Sequence, residues 1–240
     1  MGVAIKRVTM KKKFNIYRIR GRLSVICFLG AIYLTNGQAH SIEISVGPNF
    51  SKPVEKEDLK DNSFEIGIGW NSNISSVWGF KKHYTFRGGI IVNKLEFKEI
   101  IENLLFGSDI INNTRTTLER TVRFHEVGGI CTVSRTLPRK LKNFSPILGF
   151  TFSKLLGKVS SGKKSGNGEA VELNNLEIPD YSFALLFGIK WETSLNKRNS
   201  FGISPFYSYR LSRIESSTVL PTAPFRPNTF SLQFSFKHSI

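Results

Sequence analysis

The thirteen residues from Asn228 to Ile240, N-T-F-S-L-Q-F-S-F-K-H-S-I, constrain the fold most tightly. Phe230, Leu232, Phe234, Phe236 and Ile240 share one parity, and Ser231, Gln233, Ser235, Lys237 and Ser239 share the other. An extended strand therefore has an apolar and a polar face, whereas a helix would scatter the phenylalanines around its circumference. Such a strand suits the end of an outer-membrane β-barrel, with apolar side chains toward lipid and polar ones in the lumen. It equally suits a soluble protein whose apolar face meets a core. The rest of the chain must separate the two.

The same alternation recurs. Ile42 to Phe50 sets Ile42, Ile44 and Val46 against Glu43 and Ser45, and Phe64 to Trp70 sets Phe64, Ile66, Ile68 and Trp70 against Glu65, Gly67 and Gly69. His83 to Phe97 places Tyr84, Phe86, Ile90 and Val92 opposite Thr85, Arg87 and Asn93, then shifts phase at Leu95 and Phe97, as a bulge would cause. In Thr116 to Ser134, Val122 and Phe124 alternate with Arg123 and His125 before Gly128-Gly129 blurs the phase. Ser145 to Leu156, Tyr181 to Thr193 and Phe201 to Ser212 alternate more regularly, with Pro205 at a ladder position that needs no donor. The reading is eight strands.

The connections fall at 52–63, 73–82, 98–115, 135–144, 157–180, 194–200 and 213–228, so long and short ones alternate. An even-stranded barrel with both termini in the periplasm has that order, because its periplasmic turns are short and its outer loops long. The segment from Phe97 to Phe106 is apolar enough for a short helix or a strand extension above the barrel. The short connections carry Lys81, Lys82, Arg135, Arg139, Lys140, Lys142, Lys197 and Arg198 without an acidic residue, while carboxylates such as Glu55, Asp61, Glu99 and Glu172 lie in the long ones. Two solvated rims account for this; contact of the basic rim with anionic headgroups or a periplasmic partner is the sharper alternative.

The net charge of +16 does not make the chain a polyanion binder, because eight of its 34 basic residues precede position 40. Those eight precede or flank an apolar run from Leu23 to Leu34, and Gly37-Gln38-Ala39 offers small residues for cleavage, so residues 1–39 read as a cleaved signal peptide. Met10, followed by three lysines, is an alternative start. The twelve-residue run is shorter than the roughly 20 residues a spanning helix needs. Loss of Cys27 with the leader leaves Cys131 alone, with no disulfide framework. Residues 40–240 then form one all-β domain.

The segments I-S-V-G-P-N-F-S, S-P-I-L-G-F-T-F-S-K-L-L, S-F-G-I-S-P-F-Y-S-Y-R-L and F-S-L-Q-F-S-F resemble the PorT-like outer-membrane β-barrel proteins common in the Bacteroidetes. The resemblance spans most of the chain after the leader and rests on patterns, so it implies fold and location more than activity. It also implies contact with outer-membrane lipid and an accessory role beside secretion machinery.

Eight strands enclose a space that side chains alone can fill, which disfavours a wide pore. The inward parity carries Glu43, Glu65, Arg87, Arg123, His125, Lys190, Glu192, Arg210 and Lys237. Both signs are present, so a salt-bridged plug is favoured over a narrow polar path. Aromatics near strand ends, including Trp70, Trp78, Tyr84, Tyr181, Trp191, Tyr207 and Tyr209, match the girdles of a membrane interface.

A lipid-modifying barrel enzyme would need serine, histidine and a carboxylate in reach of one another. His238 beside Ser239 and His125 beside Glu126 are strand neighbours that point to opposite faces, and His40 and His83 lie at strand starts. None of the four has metal-ligand spacing. The expectation is a non-enzymatic protein without cofactor, metal or nucleic-acid partner.

Overall fold

The computed structural model describes residues 40–54, 62–80, 83–104, 116–138, 141–164, 170–172, 176–177, 179–216 and 225–240. The expected leader lies outside them, as do Lys81, Lys82, Arg139 and Lys140 of the basic turns. Among the described residues the strands are β1 (His40–Val54), β2 (Asn62–Glu65), β3 (Gly67–Phe80), β4 (Tyr84–Leu104), β5 (Thr116–Arg135) and β6 (Phe144–Lys164). They continue with β7 (Ala170–Glu172), β8 (Leu176–Glu177), β9 (Tyr181–Ser194), β10 (Asn199–Arg210), β11 (Glu215–Ser216) and β12 (Arg226–Ser239).

Eight of these close a ring of antiparallel pairs, in the order β1, β3, β4, β5, β6, β9, β10, β12 and back to β1. The register fixes the stagger. From Ser41 the partners run through Val77, Arg87, Thr132, Gly149, Leu186, Ser208 and Thr229 and return to β1 at Ser51, ten residues beyond the start. Ten residues of stagger, about 33 Å, against eight strand spacings, about 38 Å, tilt the strands by about 41° to the barrel axis. The chain is thus an up-and-down β-barrel of the narrow kind. β1 approaches β12 so closely at Gly47 that a Cβ there would lie 1.8 Å from the Leu232 carbonyl oxygen, which only glycine avoids.

The strand ends joined by the short connections 81–83, 136–143 and 195–198 lie at one end of the barrel. In the last of these, the Asn196 side-chain oxygen accepts from the Arg198 and Asn199 backbone N–H groups at 2.9 and 2.8 Å, a turn that asparagine favours.

The wall is inverted relative to a soluble protein. Ile44, Ile74, Ile90, Leu148, Ile189 and Phe234 face outward and are exposed, while Ser45, Asn49, Asn73, Ser153, Lys190 and Ser235 are buried inside. Outward aromatics on neighbouring strands stack across the wall, Phe150 on Phe183 and Phe152 on Tyr181, each with ring centroids 5.6 Å apart.

β4, β5 and β6 have 21, 20 and 21 residues, while the other five staves have 12 to 15. They continue beyond the ring as a sheet flanked by β2 on β4 and β7 on β6. Here the faces exchange character. Leu95, Phe97, Val122 and Phe124 point inward and pack with Ile214 and Phe225 into a buried cluster, joined by Phe64 and Leu155. Ile214 and Phe225 exchange backbone hydrogen bonds of 2.9 and 3.1 Å, which hold the two flanks of the β10–β12 connection together. Phe225 meets Phe97 edge-on at 5.4 Å and Phe64 at 5.0 Å.

Several expectations change accordingly. β3 continues through residues 73–80 and β4 through 98–104, both expected to be connections. Leu95 and Phe97 need no bulge, because β4 pairs with β5 in unbroken register from Tyr84 to Ile101. It is the surroundings that change at that height, so apolar residues move to the inner face. Ile66 interrupts the β2–β3 strand, and Phe64 turns inward while Glu65 turns out. Val122 and Phe124 are inward and buried, so Arg123 and His125 face outward, the reverse of the expected phase.

Candidate functional site

The site is the lumen, where alternation delivers one side chain from every second residue of eight converging strands. At the end with short connections, Glu43 of β1 accepts from Arg87 of β4 at 3.3 Å and from Lys190 of β9 at 2.5 Å. Lys190 Nζ also lies 2.8 Å from Glu192, whose other oxygen accepts from Lys237 of β12 and, at 2.9 Å, from Ser200 of β10. Two carboxylates and three cations from four strands thus form one chain across the lumen. Lys190 is only 1% exposed, and its two carboxylates offset the desolvation of its ammonium.

At mid-height the cross-section is shared. Ile91, Ile130, Leu186 and Phe206 form an apolar cluster on β4, β5, β9 and β10. Opposite them Gln233 accepts from Ser45 and Asn73, both at 3.3 Å, and donates to Asn71 at 2.5 Å. These bonds offset part of the cost of burying the amides, although the Asn71 side-chain nitrogen is buried without a partner. Further along the axis, Arg210 of β10 makes a two-pronged bond to Glu126 of β5, at 2.7 and 2.8 Å, with Ser153 also donating to Glu126 at 3.3 Å. The planar guanidinium matches a carboxylate in this way, and it also lies 5.4 Å from the Phe124 ring centre. Above comes the apolar cap, inside which Arg120 bonds Glu99 with both side chains fully buried.

Among the described residues, two small cavities of about 30 Å³ each lie in the lumen. One lies beside Glu43, Arg87 and Gln233, the other beside Glu126, Arg210 and Asn49, with Leu186 and Phe206 lining both. Each has room for a water molecule or two. Neither is a channel.

Of the nine residues expected in the lumen, the structure brings Glu43, Arg87, Lys190, Glu192 and Lys237 into one network and sets Arg210 in another. Glu65, Arg123 and His125 lie elsewhere. Glu65 is half exposed on the outer sheet, 3.7 Å from Lys98, because the interruption at Ile66 reverses its face. Arg123 bonds Glu96 at 3.0 Å on the outer surface, and His125 is exposed there opposite Lys94 in the register. Sequence reasoning missed Glu126, Glu99 and Arg120. For Glu126 a signal existed: Val127, Cys131 and Val133 share the outward parity of β5, while Thr132 and Ser134 share that of Glu126.

Among the described side chains, His83, His125 and His238 do not converge. His238 lies 2.7 Å from Asn199, His83 is exposed at a turn, and His125 faces away from Glu126. Among the described residues no three potential metal ligands come together.

Fold and site together define a closed eight-stranded barrel with an ion-paired, filled interior and an apolar outer wall. No protein-family model and no curated protein matches the chain. Among solved structures, it is similar to Neisserial surface protein A, at 9% identity and a TM-score of 0.41 over 83% of this chain and 97% of that one. It is also similar to the outer membrane protein OprG from Pseudomonas aeruginosa, at 11% identity and a TM-score of 0.42 over 85% and 98%. A third is Ail, the attachment invasion locus protein of Yersinia pestis, at 12% identity and a TM-score of 0.40 over 84% and 99%. The barrel itself rests on its own closed pairing.

Proposed function

We propose that this chain is an integral outer-membrane β-barrel, exported by its first 39 residues, that acts as a closed scaffold rather than as a pore or an enzyme. The observation that carries this reading is the outer wall. On β9 the outward residues Tyr181, Phe183, Leu185, Phe187, Ile189 and Trp191 are all apolar or aromatic, and ten residues separate the first from the last. At the strand tilt derived above, that is about 25 Å, the height of the apolar band in such barrels. Water would not tolerate so continuous an apolar wall around so polar an interior; hydrocarbon accommodates it.

The filled lumen supports a scaffold. The amide and aliphatic layer at mid-height and the aromatic cap above it would both have to open before an ion could cross. Function then lies at the ends: the sheet beyond the belt on the outer side, and the basic turns on the periplasmic side. The resemblance to PorT-like proteins favours a secretion-accessory role for those surfaces, which crosslinking in intact cells would test.

Expressed in a Gram-negative host, the protein should fractionate with the outer membrane and migrate faster unheated than boiled. Recovery in the soluble periplasm, or identical migration of the two samples, would sink the reading.

A further inference from the structure

Outward-facing cations gather at one place on the wall. Lys94 of β4 stands opposite His125 of β5, Arg123 stands opposite Glu96, and Lys154 of β6 stands opposite Val127. Their position is set by the aromatics beside them: Trp70 is the register partner of Lys94, and Tyr181 is the partner of Lys154. The patch is therefore bracketed on both sides by outward aromatics near the end of the apolar belt toward the long connections; on β3 the belt runs one outward position further, to Ile68. That is the level at which lipid headgroups begin.

Its charge is only partly compensated. Glu96 forms ion pairs with Lys94 at 3.7 Å and with Arg123 at 3.0 Å, one carboxylate for two cations. Lys154 is exposed and has no carboxylate partner among the described residues. The side chains also project sideways from the strands. Lys142, Lys197 and Arg198 at the opposite end are exposed on turns, beyond the ends of the strands. A cation at the belt edge can reach a neighbouring lipid; one on a turn faces water.

Resting on the membrane reading above, we propose that the outer face of β4, β5 and β6 binds the phosphate groups of a phosphorylated lipid in the outer leaflet. The Arg123 fork and the Lys94 and Lys154 ammonium groups donate charge-assisted hydrogen bonds to phosphate oxygens, while the acyl chains lie along Val92, Val127 and Phe152 just below. Attachment of this kind fixes the height of the barrel and orients the sheet that rises beyond it.

The test is native mass spectrometry of the purified full chain in detergent, with diphosphoryl lipid A or its dephosphorylated form added. The native protein should retain the phosphorylated lipid preferentially, and Lys94→Gln/Arg123→Gln/Lys154→Gln should lower retention at least about tenfold. Lys142→Gln/Lys197→Gln/Arg198→Gln should leave retention unchanged. Equal retention by the first triple variant, indifference to the phosphates, or displacement by inorganic phosphate at matched concentration would each overturn the proposal. Heat-modifiable migration of every variant is checked first, so that loss of the barrel itself is distinguished from loss of the lipid site.

Discussion

The lower barrel and the sheet above it are built from the same strands with opposite faces. Along β4, Ile90 and Val92 point outward and Arg87 inward; a few residues further, Lys98 is outward and Leu95 and Phe97 are inward and buried. The backbone pairing does not change between them. On the membrane reading proposed above, what changes is the medium on the outside, hydrocarbon below and water above, and the strand exchanges its polar and apolar faces at the crossing. Alternation reports a difference between two sides, and the medium decides which side is apolar.

The largest effects should come from the two interiors. Phe97→Ala, which opens a cavity in the cap beside Phe225 and Phe124, should destabilise by about 3–5 kcal/mol, measured by urea unfolding in detergent. Below the cap, Glu126→Leu should cost a similar amount, about 3–5 kcal/mol, because Arg210 is left charged and buried. The double variant Glu126→Leu/Arg210→Leu should recover most of it. If both single variants and the double were equally unstable, packing rather than pairing would explain the loss.

The outer surfaces sharpen the contrast. Ile74→Arg, in the middle of the belt, should cost about 2–4 kcal/mol, whereas Thr121→Arg on the outward parity of the upper sheet should shift stability by no more than about 0.5 kcal/mol. Equal costs would mean that one medium surrounds both. Smallest of all, Glu65→Gln, which breaks the half-exposed pair with Lys98, should change stability by less than about 1 kcal/mol.

What the sequence disclosed follows the same division. On β9 and β12 the outward parity is apolar along the stretch that lies in the belt, and eight strands, their order and the inward placement of Glu43, Lys190 and Glu192 followed from counting. β5 misled, because its clearest alternation, Val122 to His125, lies in the upper sheet, where inward is apolar. Reading that segment by the rule for the belt turned Arg123 and His125 inward and hid Glu126. Glu65 failed for a different reason, a one-residue interruption at Ile66 that no composition signal marks. Glu99 lies in a strand extension that reads as a connection, whereas Arg120 lies within the expected fourth strand and was hidden by the same reversed phase, since it shares the inward parity of Val122 and Phe124.

The most direct measurement is collision accessibility of spin labels placed one at a time on β4 and β5 in a Cys131→Ser background, with the protein in lipid bilayers. A label at Val92 should be quenched by oxygen and not by a water-soluble nickel complex, one at His125 the reverse, and one at Phe97 by neither. A label at Phe97 that met lipid, or one at Val92 that met water as freely as His125, would contradict the inverted wall.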